Sequence, residues 1–113
     1  MRKEKRVKQA PAGERIIVER VQTGVRIEKR ILKVLKAFAE YHDMTLGDLL
    51  EGIVLHAFDG LCPFGDESLR LIADLKRIYK LDLDSTASHR LLEKAEAEAM
   101  PPGSKGAKDK EKR

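Results

Sequence analysis

The hydrophobic pattern of residues 21–58 changes period once, and this change restricts the folds open to the chain. Up to Ile27, inward and outward positions alternate, which is typical of a strand with one buried face. From Glu28, apolar residues recur at offsets of three and four, which predicts an amphipathic helix. The inward strand positions are Val21, Thr23, Val25 and Ile27, and the helical stripe is Ile31, Leu32, Leu35, Phe38 and Ala39.

A second helix is predicted after a break at residues 42–44. Thr45 can accept a hydrogen bond from an open amide of the first turn, and Asp48 in that turn suits the positive end of the helix dipole. The apolar stripe of this helix is Leu46, Leu49, Leu50, Ile53, Val54, Ala57 and Phe58. The predicted order is therefore strand, helix, tight turn and helix.

A single strand predicts a homodimer. Because no second convincing strand follows, the simplest partner is the same strand of another copy, paired antiparallel about a two-fold axis. We therefore expect a mainly α fold, with a two-stranded ribbon, two helices per chain beside it and two additional C-terminal helices. Residues 14–20 either extend the ribbon or form a separate short strand, and we favour the extension. The expected dimer core is Val25, Ile27, Ile31, Leu32, Leu35, Leu49, Leu50 and Ile53.

Residues 21–58 of the 113 resemble the ribbon-helix-helix DNA-binding proteins of the Arc and MetJ type. In that family the last inward strand residue is followed at offsets of four, five and eight by the core of the first helix. Here Ile31, Leu32 and Leu35 follow Ile27 at those offsets. A turn and a polar cap come next, at residues 43–45, and the apolar run of the second helix closes the core.

The resemblance implies that the ribbon enters the major groove of DNA, where base pairs can be distinguished. The outward residues Gln22, Gly24 and Arg26 would then contact bases, since Gln can pair with adenine and Arg with guanine. Gly24 departs from the pattern, so either the backbone approaches a base closely there or the strand is bulged.

The resemblance also implies a phosphate site at the first amides of the second helix. On this chain that site would be formed by Thr45, Leu46 and Gly47, and Lys29 and Arg30 are the further expected phosphate contacts. Charge supports a nucleic-acid face here, because residues 15–36 hold seven basic and two acidic residues. The charge around the second helix opposes phosphate binding, since residues 37–68 hold seven acidic residues and no Lys or Arg.

Composition divides the chain into four segments. We expect a disordered basic arm at residues 1–13, the ribbon-helix-helix domain at 14–60, a helical extension at 61–100 and a disordered charged tail at 101–113. The arm either only aids solubility or also contacts the DNA backbone. The extension either enlarges the dimer core, which we favour, or binds a protein partner or effector.

Three features are expected within the extension. Leu61 and Phe64, in the loop of residues 59–66, should pack onto the core. A third helix is predicted over residues 67–80, with Leu71, Leu75 and Ile78 on one line. A fourth helix, capped by Ser85 or Thr86, should run to about Ala99.

No pattern of catalytic or metal-binding residues is present in the sequence. His42, His56 and His89 lie far apart, and Cys62 is the single cysteine, so we expect no metal, no cofactor and no enzymatic activity. Cys62 should be a small packed hydrophobe in a reducing compartment. No apolar run approaches the ~18 residues that span a bilayer, and we expect a soluble cytoplasmic protein.

Two classes of function follow. The first is sequence-specific binding of double-stranded DNA by the homodimer, as a transcriptional repressor or autoregulator. The second is a helical protein-interaction module, for example one with antitoxin-like partner binding, that dimerises without reading DNA. The first class requires the seven basic groups of residues 15–36 to lie on the ribbon side, whereas the second leaves them scattered.

Overall fold

The computed structural model describes residues 14–99, and the regular elements in this part of the chain are helical. They are α1 (Lys29–Tyr41), α2 (Leu46–Phe58), α3 (Asp66–Ile78) and α4 (Lys94–Ala99), with a single 3-10 turn at Ser85–Ala87. The prediction of a mainly α chain is confirmed. The arms expected at residues 1–13 and 101–113 lie outside the described residues.

The predicted strand at residues 21–27, and its extension at 14–20, is not formed in this single chain. Residues 14–28, which we call the N-terminal segment, contain neither helix nor strand. The physical reason is that a strand requires a neighbour, and no other part of residues 14–99 pairs with this backbone. Val25, which we expected in a core, is 74% exposed in the single chain.

The first two helices begin with side-chain caps. At α1 the Glu28 carboxylate accepts a hydrogen bond from the Ile31 amide at 2.8 Å. At α2 the Thr45 hydroxyl accepts one from the Asp48 amide at 3.0 Å, as predicted. Between them the chain turns at Asp43, whose φ of 55° lies in the left-handed region. The helix–turn–helix order of residues 28–58 is therefore confirmed.

The core lies where α1 packs against both α2 and α3. Phe38, Ala39 and Leu49 are buried at its centre, and the Phe38 ring meets the edge of Phe64 at a centroid distance of 5.3 Å. Val34 is also buried, although it was not in the predicted stripe. Leu35 and Ile53 pack against the centre as expected, whereas Ile27, Ile31, Leu32 and Leu50 are only half-buried in the single chain.

The C-terminal extension differs from the prediction in its loop and in its fourth helix. Phe64 packs on the core, but Leu61 is 58% exposed, and Cys62 is exposed rather than packed. The predicted helix from Ser85 is wrong: residues 85–87 form one 3-10 turn, and the next helix begins only at Lys94. His89 has a φ of 67°, which lies outside the α-helical region, so an α-helix does not continue through this residue.

Candidate nucleic-acid interface

The predicted base-contacting residues lie on the surface of the N-terminal segment. Gln22, Gly24 and Arg26 are all exposed, and 83% of the Arg26 side chain is accessible. A Cβ atom added at Gly24 would meet nothing within 4 Å, so the chain itself does not require glycine there for space. Any demand for glycine at this position would have to come from a bound molecule or a second chain.

The predicted phosphate site lies at the start of α2. Thr45 and Gly47 are exposed and Leu46 is half-buried. An added Cβ at Gly47 would meet open space, so an anion could approach the first amides from that side. Asp48 in the first turn and Glu51 one turn on would oppose the anion electrostatically.

An ion pair joins the N-terminal segment to α2 and offsets part of this negative charge. Nε and Nη2 of Arg20 each donate a hydrogen bond to the Glu51 carboxylate at 2.7 Å. These hydrogen bonds are the main reason that the pKa of Arg20 is raised and the pKa of Glu51 is lowered. Glu51 is therefore neutralised by a partner 31 residues away, a contact that the sequence pattern did not indicate.

Arg26 has an intramolecular partner in the C-terminal extension. Its Nε donates to the Glu93 carboxylate at 3.2 Å, and its Nη2 donates to the second oxygen of the same group. The two residues are 67 positions apart, and 46% of the Glu93 side chain is accessible. The guanidinium that we expect to face DNA is thus paired in the free chain.

Arg30 ties the start of α1 to the chain beyond α3. Its Nε donates to Glu28 at 2.9 Å, and its Nη1 donates to the Lys80 carbonyl at 3.0 Å and to Asp82 at 2.9 Å. The hydrogen bond with Glu28 is the largest of the effects that raise the pKa of Arg30. With three partners and a half-buried side chain, Arg30 has a structural role in addition to the predicted phosphate contact.

Three lysines form an exposed row on α1. Lys29, Lys33 and Lys36 are separated by four and three residues, which places them on one helix face, and all three are exposed. Within residues 14–99, no acidic side chain forms an ion pair with any of them. Of these lysines only Lys29 was among the predicted contacts, and the same spacing could have identified the other two.

Between residues 14 and 99, no three His, Cys, Asp or Glu side chains are close enough together to hold a metal ion. In the same range, no helix has the length and apolar character needed to cross a membrane. His56 is exposed on α2, with its Nδ1 at 2.8 Å from the Gly52 carbonyl oxygen.

No protein-family model, curated protein or solved structure matches the chain. The likeness to ribbon-helix-helix proteins therefore rests on the apolar spacing of residues 21–58. Within those residues, the chain forms the helix, short turn and second helix that the spacing predicts, but not the strand that it predicts before them.

Proposed function

We propose that the protein is a homodimeric, sequence-specific DNA-binding protein of the ribbon-helix-helix type that regulates transcription. The observation that carries the proposal is the N-terminal segment directly before the α1–α2 unit, whose backbone is not paired with any other part of residues 14–99. Its backbone N–H and C=O groups lie at the surface, and residues 21–27 of a second copy could pair with them antiparallel. The paired segments would then present Gln22, Gly24 and Arg26 to the major groove.

The distribution of apolar surface supports self-association. Burying one large apolar side chain contributes about 1.5–3 kcal/mol, so a chain with many exposed ones gains from covering them. The described chain has only four buried hydrophobic residues, whereas five large apolar residues of the N-terminal segment and three on α2 are exposed. These are Ile16, Ile17, Val18, Val21 and Val25, and Val54, Leu55 and Phe58.

The distribution of charge supports DNA as the ligand. The row of Lys29, Lys33 and Lys36 faces solvent, and it adjoins a segment with three further arginines at positions 15, 20 and 26. Lys and Arg that neutralise phosphates supply most of the non-specific affinity for DNA. The acidity of α2 is a weaker objection than its composition suggests, because Arg20 neutralises Glu51.

The second candidate is a protein-interaction module, and one observation favours it. Arg20 and Arg26 already have carboxylate partners, so part of the positive charge is used within the chain. In this alternative, the exposed face of α2 formed by Val54, Leu55 and Phe58 would contact a different protein. The alternative requires neither base recognition nor a palindromic site.

Selection of oligonucleotides from a random duplex pool, at two salt concentrations, separates the two candidates. A two-fold symmetric dimer should enrich a palindromic sequence, and its affinity should fall as salt rises because counterions are released on binding. An unenriched pool at both salt concentrations would favour the interaction module and contradict the proposal.

The variant Arg26→Ala tests base contact by a named residue. We expect it to weaken binding to the selected sequence by about 1–3 kcal/mol and to relax the preference at one position in each half-site. Arg70→Ala is the matched control, because Arg70 is exposed on α3 and forms no ion pair within residues 14–99. Equal losses in the two variants would show that Arg26 acts only through its charge.

A further inference from the structure

We propose that the C-terminal segment, defined as residues 80–93, competes with DNA for Arg26 and so restrains DNA binding by the free protein. The inference rests on the proposed function. It adds a regulatory role for the C-terminal extension that DNA binding by residues 14–58 does not require.

The C-terminal segment is anchored beside α1 at its beginning. After α3 the chain turns at Lys80, whose φ is 57°, and the Leu81 amide donates to the Lys76 carbonyl at 2.8 Å. This arrangement is a common helix ending, and it fixes the direction of the Lys80 carbonyl. That carbonyl and the Asp82 carboxylate both accept from Arg30, so the segment begins in contact with a residue that is only four positions along the chain from Arg26.

The last residue of the segment, Glu93, contacts Arg26. Nε and Nη2 of Arg26 donate to the two oxygens of Glu93. This two-point geometry is the one that an arginine uses for a phosphate or for the O6 and N7 atoms of guanine. The same pair of donors cannot serve Glu93 and a base together, so DNA must displace Glu93 from Arg26.

The restraint should be weak enough for DNA to overcome. The Arg26 and Glu93 side chains are 83% and 46% exposed, and ion pairs between exposed side chains contribute little free energy. We therefore expect the pair to reduce DNA affinity by roughly two- to fivefold at low salt. Salt screens exposed charges, so the reduction should shrink as ionic strength rises.

The decisive variant is Glu93→Gln in the full-length protein, with the selected duplex as ligand. We expect binding two- to fivefold tighter than that of the wild type in about 50 mM salt, and a smaller gain in about 200 mM salt. The matched control is Glu96→Gln, because Glu96 lies in α4 and pairs with no Arg within residues 14–99. It makes the same change in net charge, so a difference between the variants reports the specific contact.

Two further measurements make the result unambiguous. In the Arg26→Ala background, Glu93→Gln should give no more gain than Glu96→Gln, because the guanidinium for which Glu93 competes with DNA is absent. In the free protein, the NMR signal of the Arg26 Nε–H should move on Glu93→Gln and stay in place on Glu96→Gln.

Equal affinity of the Glu93→Gln and Glu96→Gln variants for DNA would overturn the competition and leave the proposed function intact. An unmoved Arg26 Nε–H signal would overturn it through the protein alone. If neither wild type nor any variant binds DNA, the proposed function fails and the competition fails with it, which is a separate outcome from the first two.

Discussion

At the residue scale, Glu28 closes the open end of α1. Burial tends to raise the pKa of its carboxyl, but hydrogen bonds from the Ile31 amide and the Arg30 guanidinium outweigh burial, and the pKa is lowered from its ordinary value of 4.5. The folded chain thus favours the ionised form. The resulting stabilisation is present above the unfolded-state pKa and is lost as the pH falls through the lower, folded-state pKa.

We predict that Glu28→Ala lowers the free energy of unfolding at pH 7 by about 0.5–2 kcal/mol, as for the loss of a helix cap. The difference from wild type should diminish as the pH drops below 4.5, where the wild-type carboxyl also becomes protonated. Urea denaturation at pH 7 and at low pH would measure both effects. Glu40→Ala, at an exposed position on the same helix, is the control and should be nearly neutral.

Residue-scale features differ in how far the sequence predicts them. The Thr45 cap could be predicted because a hydroxyl residue directly before an apolar helical stripe has few other roles. The pairs of Arg20 with Glu51 and Arg26 with Glu93 could not, because their partners are 31 and 67 residues apart and many carboxylates compete for each arginine. Only the packed chain selects the partner.

At the element scale, the prediction of helices succeeded where apolar periodicity was strong and failed where it was weak. Leu71 and Leu75 of α3 pack on the core, whereas Ile78, the last residue of the helix, is 64% exposed. The predicted fourth helix has a thin apolar stripe, and none of residues 85–99 is buried in the described part of the chain. Local hydrogen bonds favour a 3-10 turn over an α-helix there, since the Asp84 carboxylate accepts from the Thr86 amide at 3.0 Å.

We predict that Leu75→Ala destabilises the chain by about 2 kcal/mol, the low end for a Leu→Ala change in a core, because Leu75 is only partly buried. Leu69→Ala on the same helix should cost less than about 0.5 kcal/mol, since Leu69 is 45% exposed and is not among the residues packed against the core. Thermal unfolding of both variants measures the difference. Equal costs would mean that α3 does not pack on α1 in solution.

At the scale of the whole molecule, the single chain has a small core and a large exposed apolar surface. The first three helices could be predicted from the sequence, since their apolar stripes are local. Whether the N-terminal segment forms a strand could not be predicted from local pattern alone, because its proposed pairing partner belongs to another copy of the chain. Phe58 and Val21, at 80% and 82% exposure, are the kind of surface that a second chain would cover.

We predict that Val25→Asp weakens dimerisation by about 2 kcal/mol or more, because the new charge would enter a shared core. Gln22→Asp, which adds the same charge on the outward side, should leave the dimer intact. Sedimentation equilibrium over a range of concentrations measures both. In a monomeric protein Val25→Asp would be a mild surface change, since Val25 is 74% exposed, so unchanged sedimentation would contradict the dimer.

The exposed position of Cys62 affects how such experiments must be run. A lone accessible thiol lets two molecules cross-link in air, and the covalent product would sediment at the mass of a genuine dimer. Samples therefore need a reductant or a Cys62→Ser background. The same thiol offers one maleimide attachment point per molecule, so a donor dye on one copy and an acceptor dye on another could report assembly by energy transfer.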